Sequence, residues 1–260
     1  MSTHRFYLPP ERWSEEAPEL EQSDSHHCAD VLRLGVGETV VIFDGLGKVA
    51  EAELTGVHRK QCVLQIGHAH ITPALRCAIT LVQAIPKGKN MDLILQKGVE
   101  LGASRIVPLL TSRTVVRMDN AADAERKRER WQQIALEACK QCGRNSVPEV
   151  AAPSTVEQFL KRLSSTELLL VASLQPDART IKEVLAAYAS SRGELPSSII
   201  VMVGPEGGFH PGGNHVDQSC RGSARNARPH DFASGNSGAV LPERAGARAV
   251  LGRRLQRFRL

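Results

Sequence analysis

The chain has 260 residues, of which 42% are hydrophobic and 23% charged, enough to form a well-packed globular protein of one or two domains. It has no run of 18 apolar residues, which excludes a membrane-spanning helix, and its start, MSTHRFYLPPERW, lacks the apolar core of a signal peptide. Six scattered cysteines, at positions 28, 62, 77, 139, 142 and 220, are typical of reduced thiols rather than of a disulfide framework. We therefore expect a cytoplasmic protein.

The formal net charge of +5 is unevenly distributed along the chain. Residues 1–72 carry 6 basic and 11 acidic side chains, residues 73–209 carry 18 and 14, and residues 210–260 carry 9 and 3. The net charges are therefore −5, +4 and +6, so the excess positive charge lies in the last segment. A nucleic-acid partner can be inferred from bulk charge only through that segment.

Residues 1–72 have the pattern of short β-strands. ETVVIFDG is a compact apolar run that ends at a turn signal, Asp44-Gly45, and KVAEAELTGV alternates apolar and polar residues. QCVLQIG is a third candidate strand. Short strands at close spacing predict a small β-barrel, and its net negative charge argues against RNA binding by charge alone.

From about residue 75, apolar strands alternate with amphipathic helices, which predicts an α/β domain with a mainly parallel sheet. The first helix, KNMDLILQKGVELG, has Asn90 as its expected N-cap and Gly102 just past its end. The long helix AERKRERWQQIALEACKQCG ends at Gly143, with an apolar stripe of Trp131, Ile134, Ala135, Ala138 and Cys142. The remaining elements are the strands CAITLVQAI, RIVPLL, ELLLVASL and SSIIVMVG and the helix ARTIKEVLAAYA.

The stretch VMVGPEGGFH, residues 201–210, carries a strand into a glycine-rich turn. Ligands of parallel sheets bind at the carboxyl ends of strands, and glycines allow a backbone to approach a ligand closely. A tight structural turn explains the same residues equally well. The spacing matches neither the dinucleotide fingerprint nor a phosphate-binding P-loop, so a phosphate cradle is not expected.

Several other polar residues have a structural explanation that is at least as good as a functional one. Cys139 and Cys142 lack the second pair that a zinc ribbon needs, and His26-His27 lack further ligands. Lys97 and Glu100 can form a solvated ion pair on one helix, and Arg144 complements a helix C-terminus. No metal site is expected.

Taken together, several stretches resemble the bacterial 16S ribosomal RNA uracil-N3-methyltransferases of the SPOUT, or trefoil-knot, superfamily. The resemblance covers residues 1–209 and rests on RFY (5–7), HCADVLRL (27–34), IFDGLGKVAEAEL (42–54), KGKNMDLILQKGVELG (87–102), KRERWQQIALEACKQCGRNSVPEV (127–150) and GPEGGF (204–209). It implies a PUA-like β-barrel at residues 1–72, followed by an α/β-knot methyltransferase domain at residues 73–209 that dimerises.

The resemblance also implies a cofactor, a substrate and residue roles. S-adenosyl-L-methionine would lie in the knot, against Ser173, Leu174, Val203, Gly204, Pro205, Glu206, Gly207 and Gly208. Uracil N3 of one uridine in the 16S RNA of the small ribosomal subunit would attack its methyl group, with Arg144 stabilising the developing negative charge. Glu137 is a candidate base, and Arg5, Arg33, Lys87, Lys97 and Arg113 are candidate RNA contacts.

Residues 210–260 depart from the family, because the expected acidic helix, strand and closing signature are not recognisable there. The segment instead has 9 arginines, no lysine and 7 glycines in 51 residues. We hypothesise a reading-frame shift near residue 210; an arginine-rich, disordered RNA-binding extension is the alternative. Two functions therefore stay open for the chain: a methyltransferase, or an inactive or purely RNA-binding member of the same family.

Overall fold

The computed structural model describes residues 4–88, 90–111, 120–163, 168–172 and 178–204. Within these ranges the chain separates into two compact units. The first consists of the residues up to Leu75 together with Gln133–Pro148, and the second of Arg76–Gln132 together with the residues from Glu149 onward. Residues 133–148 pack with the first unit, whereas the sequence-based domain boundaries place them in the second domain.

The first unit is built on a four-stranded sheet with the order β1-β2-β3-β4. Its strands are β1 (Arg5–Tyr7), β2 (Thr39–Phe43), β3 (Lys48–His58) and β4 (Gln61–Ile71). β1 pairs with β2 in parallel, and the other pairs are antiparallel. A 3-10 helix (Pro10–Ser14), helix α1 (Gln22–His26) and a π-helical turn (His27–Val31) join β1 to β2. The three predicted strands are confirmed.

Alternation along these strands places the apolar side chains in one core. Phe6, Ile42, Leu54 and Leu64 each expose 1% or less of their surface, as expected for strands with one buried face. The predicted turn at Asp44 is also present, because the buried carboxylate accepts hydrogen bonds from two backbone N–H groups, those of Leu46 (2.7 Å) and Lys48 (2.9 Å).

The second unit contains a sheet in which every strand pair is parallel, with the order β7-β6-β5-β10-β9 and β8 beside β6. The strands are β5 (Ala78–Ala84), β6 (Arg105–Leu110), β7 (Glu149–Val150), β8 (Ser154–Thr155), β9 (Leu168–Val171) and β10 (Ser198–Val203). The helices are α2 (Asn90–Glu100), α3 (Ala121–Cys142), α4 (Val156–Lys161) and α5 (Ile181–Arg192). The predicted parallel α/β architecture is confirmed.

Helices cover both faces of this sheet. On one face, Leu168 and Leu170 pack with Val184 of α5, and Gly98 lets α2 approach Leu81 and Ile106 closely. On the opposite face, the alternate residues of the strands pack against Val156 of α4; they include Val82, Val107, Leu169 and Met202. Because both faces are buried, the strands appear as continuous apolar runs in the sequence.

The helix ends mostly match their sequence signals. Gly102 (φ 96°) and Gly143 (φ 81°) adopt the left-handed conformation expected of residues past a helix C-terminus. Asn90 is the first residue of α2 rather than its N-cap, a shift of one position. The predicted stripe of α3 needs a correction: Cys142 is exposed, because it is the last helical residue before the turn, and Cys139 is buried instead.

None of the described helices combines the length and the apolar character that a membrane crossing requires.

Candidate functional site

The carboxyl ends of the parallel strands form one candidate site, in the second unit. Val203, the last residue of β10, lies beside Gln83 of β5, and Met202 lies beside Val171 of β9. The Ala172 N–H, just past β9, donates to the Met202 carbonyl over 2.8 Å. The last described residues of β9 and β10 therefore leave the sheet side by side, although 30 residues separate them in sequence.

This arrangement brings together the starting points of both predicted cofactor loops. Ala172 leads into Ser173 and Leu174, and Val203 and Gly204, both half-buried, lead into Pro205, Glu206, Gly207 and Gly208. Ser173, Leu174 and residues 205–208 themselves lie outside the described residues, as does Arg113. Gln83 adds a buried amide near this edge, 8% exposed, and its Nε2 donates to the Ala84 carbonyl over 2.9 Å.

The second candidate site is the turn after α3, which belongs to the first unit and carries Arg144. Two backbone hydrogen bonds fasten this turn to the β2–β3 loop. The Gly47 N–H donates to the Asn145 carbonyl (3.0 Å), and the Val147 N–H donates to the Gly45 carbonyl (2.8 Å). Arg144 is half-buried in this turn, so the position of its backbone is set by the N-terminal module.

Arg5 lies against the same turn, inside the first unit. Its Nη2 donates to the Asn145 side-chain oxygen and, over 3.5 Å, to the Arg144 carbonyl. Its guanidinium carbon lies 5.1 Å from the centre of the Phe43 ring. Burial lowers the pKa of Arg5, while the nearby Cys142 and Cys139 thiols act in the opposite direction. Arg5 thus has contacts within the protein, and its role in RNA binding stays a prediction.

Glu137 is exposed on the last turns of α3 and already has two partners. Its Oε1 accepts hydrogen bonds from Gln133 Nε2 (2.9 Å) and Lys140 Nζ (3.0 Å). Lys140 in turn contacts both carboxylate oxygens of Asp24, at 2.7 and 3.0 Å. As a base, Glu137 would therefore act with one of its oxygens already engaged by an amide and an ammonium group.

The other predicted RNA contacts lie on exposed surfaces of both units. Arg33 is exposed in the first unit, with a left-handed backbone (φ 56°), and Lys87 is exposed after β5 in the second. Lys97 forms the predicted ion pair with Glu100, 2.7 Å between Nζ and Oε2, which confirms that interpretation. Its role in RNA binding stays a prediction.

The thiols of Cys139 and Cys142 show no arrangement for metal binding. Cys139 is fully buried, and burial raises the pKa of its thiol to about 12. Within the described ranges, no group of three or more His, Cys, Asp or Glu side chains is placed to hold a metal ion.

Comparison with known proteins identifies the family. A model described as an RNA methyltransferase domain matches residues 73–213, and one described as an RNA methyltransferase PUA domain matches residues 20–67. Ribosomal RNA small subunit methyltransferase E of Bacillus subtilis is 34% identical over 200 residues, which cover 75% of this chain and 77% of that protein. The chain belongs to the ribosomal RNA small subunit methyltransferase E family.

Solved structures of methyltransferases share its fold. A ribosomal RNA small subunit methyltransferase E from Neisseria gonorrhoeae, bound to S-adenosyl methionine, superimposes with a TM-score of 0.71 at 32% identity, covering 85% of this chain and 86% of that one. A putative methyltransferase from Legionella pneumophila, in complex with the same cofactor, gives 0.69 at 30% identity, covering 81% and 83%. The predicted PUA-like barrel followed by a SPOUT methyltransferase domain is confirmed at the level of fold.

The family match covers both candidate sites. The RNA methyltransferase match runs through the glycine turn and ends at residue 213. Sequence reasoning missed Asn145 and the β2–β3 loop as supports of Arg144. Their contacts join residues up to 140 positions apart, and no local pattern indicates contacts over such a separation.

Proposed function

We propose that this chain methylates uracil N3 of one uridine in 16S ribosomal RNA of the small subunit, with S-adenosyl-L-methionine as methyl donor. The observation that carries the proposal is the similarity to a cofactor-bound methyltransferase E over 85% of the chain. A match of this extent includes both the PUA module and the parallel sheet. It favours the enzyme over an inactive or purely RNA-binding relative.

The proposed cofactor site is the carboxyl edge of the parallel sheet. Val203 and Gly204 with Pro205, Glu206, Gly207 and Gly208 would form one wall, and Ser173 and Leu174 would form another. The described part of this edge fits such a role, because β9 and β10 end side by side and Gly204 has no side chain to block a ligand. When bound, the sulfonium group supplies an already activated methyl, so the proposal includes no metal.

The protein's own task in the reaction is to expose N3 and to stabilise it without its proton. Arg144 would stabilise the negative charge that develops on the uracil ring, because a fixed cation in a site that excludes water acts strongly on developing charge. Glu137 is our candidate for the group that accepts the proton. The target base must leave its stack for the N3 edge to become accessible.

RNA binding in this proposal uses basic residues of both units. Arg33, Lys87 and Lys97 are exposed or partly exposed cations suited to phosphate contacts, and Arg113 is a further candidate.

We also infer a cytoplasmic homodimer. The α2 side chain Leu93, 50% exposed, is apolar surface that a second copy would cover. Sedimentation of the purified chain would reveal the oligomeric state.

We also keep our domain boundaries as proposals: a PUA-like module at residues 1–72, a methyltransferase domain at 73–209 and an arginine-rich segment at 210–260. The frame-shift hypothesis for the last segment is tested by re-sequencing the gene. It fails if no single-base insertion or deletion restores the family's ending in another frame.

The function is tested by methyl transfer from labelled S-adenosyl-L-methionine to small ribosomal subunits. We expect wild-type protein to bind the cofactor in a calorimetric titration and to transfer methyl to uracil N3. Arg144→Ala is expected to lower kcat on the order of 100-fold, the usual effect of removing one charge-stabilising group. The control variant Arg59→Ala, at an exposed position in the first unit, should keep wild-type activity. Cofactor binding without methyl transfer would support the inactive alternative.

A further inference from the structure

The turn that carries Arg144 is held by the N-terminal module from three directions. Backbone hydrogen bonds join it to Gly45 and Gly47 of the β2–β3 loop. The Asn145 side chain contacts Arg5 at the start of β1 and, through Nδ2 over 2.7 Å, the Thr72 hydroxyl just past β4. Three separate segments of the barrel therefore meet at Asn145 and its neighbours, the residues that directly follow Arg144.

Asn145 uses both ends of its amide, which sets the orientation of its side chain. The oxygen accepts from the Arg5 guanidinium, and the nitrogen donates to Thr72. An aspartate could keep both contacts, because its carboxylate accepts from the Arg5 guanidinium and the Thr72 hydroxyl can rotate to donate; only removal of the hydroxyl abolishes the second contact. A side chain tied at both ends limits the rotation of the backbone that bears it, and that backbone is bonded directly to Arg144.

Arg5 is half-buried, and its guanidinium contacts the turn and the Phe43 ring. Its Nη2 has two acceptors in the turn, the aromatic ring of Phe43 lies against it, and its Nε is buried with no acceptor among the described residues. A cation in this setting makes charge-assisted hydrogen bonds to the turn, which are about twice as strong as neutral ones. Nη2 and one face of the guanidinium are therefore already engaged by the turn and the Phe43 ring.

The β2–β3 loop is itself held in a fixed shape. The Asp44 carboxylate accepts from the backbone of Leu46 and Lys48, and Gly45 has a positive φ of 77°. A Cβ at Gly45 would lie 3.2 Å from side-chain atoms of both Tyr7 and Val147. The loop is thus packed closely against the turn as well as hydrogen-bonded to it.

We propose that Arg5 and Asn145 are positioning residues for Arg144, so that the PUA-like module serves as the scaffold of the catalytic turn. This inference rests on the proposed function, because it assumes that Arg144 acts on the reacting base. It assigns Arg5 to catalysis through the turn instead of to RNA binding. It also gives the barrel a role in kcat, separate from any role in affinity.

The first test separates the two roles of Arg5 by comparing Arg5→Met with wild type in methyl transfer and in RNA binding at several salt concentrations. We expect kcat to fall by about 10- to 100-fold, the range expected for a misplaced catalytic group. The KM for small subunits and the dependence of RNA affinity on salt should stay unchanged. Removal of a phosphate-binding cation would instead lower the salt slope by about 1 with kcat unchanged, and that result would overturn the proposal.

Two milder variants separate a local effect on the turn from a general loss of folding. Thr72→Val and Thr72→Ala each remove the hydrogen bond between Asn145 and Thr72, and Thr72 is exposed, so the fold should survive. We expect each to lower kcat by a few-fold. Arg59→Ala, which removes only a surface ion pair with Asp30, is the matched arginine control. Wild-type kcat in both milder variants would contradict the positioning role.

Hydrogen exchange at the Gly47 and Val147 amides distinguishes this proposal from the proposed function. Both amides donate across the turn, so Arg5→Met should accelerate their exchange while the global stability stays the same. Unchanged exchange, or faster exchange with wild-type kcat, would overturn the positioning role.

If Arg144→Ala is fully active, the role of Arg144 fails instead. When Arg5→Met is combined with Arg144→Ala, we expect no further loss, because residues that act as a unit are not additive.

Discussion

Lys140 and Asp24 form an ion pair that is largely removed from water. The two side chains expose only 12% and 13% of their surface, and the Lys140 Nζ also contacts Glu137. Burial alone would lower the pKa of Lys140. The hydrogen bonds and charges of Asp24 and Glu137 outweigh that effect and raise it above its usual value. The pair ties the last turns of α3 to α1 within the first unit.

Replacing Lys140 with methionine should strongly destabilise the first unit. The change leaves the Asp24 carboxylate without its partner in a buried position, which costs about 3–5 kcal/mol in comparable cases. Lys161→Met removes an exposed pair with Glu157 and should cost less than about 1 kcal/mol. Urea unfolding of the three proteins measures both values. Equal stabilities of the two variants would show that the buried pair contributes no more to the unfolding free energy than the exposed pair.

The same pair should give a defined pH dependence. A raised pKa in the folded state means that the stabilisation is complete below the pKa of the unfolded chain, about 10.4, and is lost as pH rises through the folded value. The difference in unfolding free energy between wild type and Lys140→Met should therefore stay constant between pH 7 and about pH 10 and shrink above it. A difference that already shrinks below pH 9 would be inconsistent with this origin.

At the scale of elements, α5 has a well-defined start. The Thr180 hydroxyl accepts from the Glu183 N–H (3.3 Å), and the Glu183 carboxylate accepts from the Thr180 N–H (2.7 Å), so two otherwise unpaired donors are satisfied. The backbone hydrogen bond from Thr180 lowers the pKa of Glu183. The helix then covers Leu168 and Leu170 with Val184.

Thr180→Ala should lower the unfolding free energy by about 0.5–2 kcal/mol, because the first turn of α5 loses its side-chain acceptor. Thr180→Ser keeps the hydroxyl and should remain close to wild type. Denaturant midpoints of both variants in the full chain provide the comparison. If serine is as damaging as alanine, the methyl group of Thr180 matters more than the capping bond.

The sequence predicts these elements well where local chemistry determines them. Apolar runs or, for β3, alternating apolar and polar residues mark the strands longer than three residues, and glycine marks the ends of α2 and α3. β1, β7 and β8, of two or three residues, are too short to produce a pattern, and their existence depends on pairing with distant strands. The site is divided in the same way: the glycine turn is visible in the sequence, whereas the contact of Arg5 with Asn145 depends on the tertiary fold.

At the scale of the whole molecule, the charge is segregated along the chain. Residues 1–72 have a net charge of −5 and residues 210–260 a net charge of +6. Since phosphate contacts release counterions, the salt dependence of RNA binding reports where the cations act. On net charge, we expect residues 73–209 (+4) and 210–260 (+6) to supply most of that dependence.

Replacing the nine arginines of residues 210–260 with glutamine in the full chain tests whether this segment binds RNA. If it does, the slope of log affinity against log salt should drop by about 0.7–0.9 for each phosphate that the segment no longer neutralises. Replacing Arg12, Arg59 and Lys60 of the first module in the same way is the control, expected to leave the slope unchanged. An unchanged slope in the first variant would confine RNA binding to the two folded units.

The position of β10 between β5 and β9 has a consequence for synthesis on the ribosome. Ser198 of β10 pairs with Ala78 of β5, so one edge of β5 stays unpaired until a strand 120 residues further along the chain has been synthesised. At about 5–20 residues per second, that interval lasts roughly 6 to 24 s. During this time the nascent chain exposes an unpaired apolar strand, which is a target for chaperones and for aggregation. The enzyme's yield in cells should therefore respond to translation speed between these two strands.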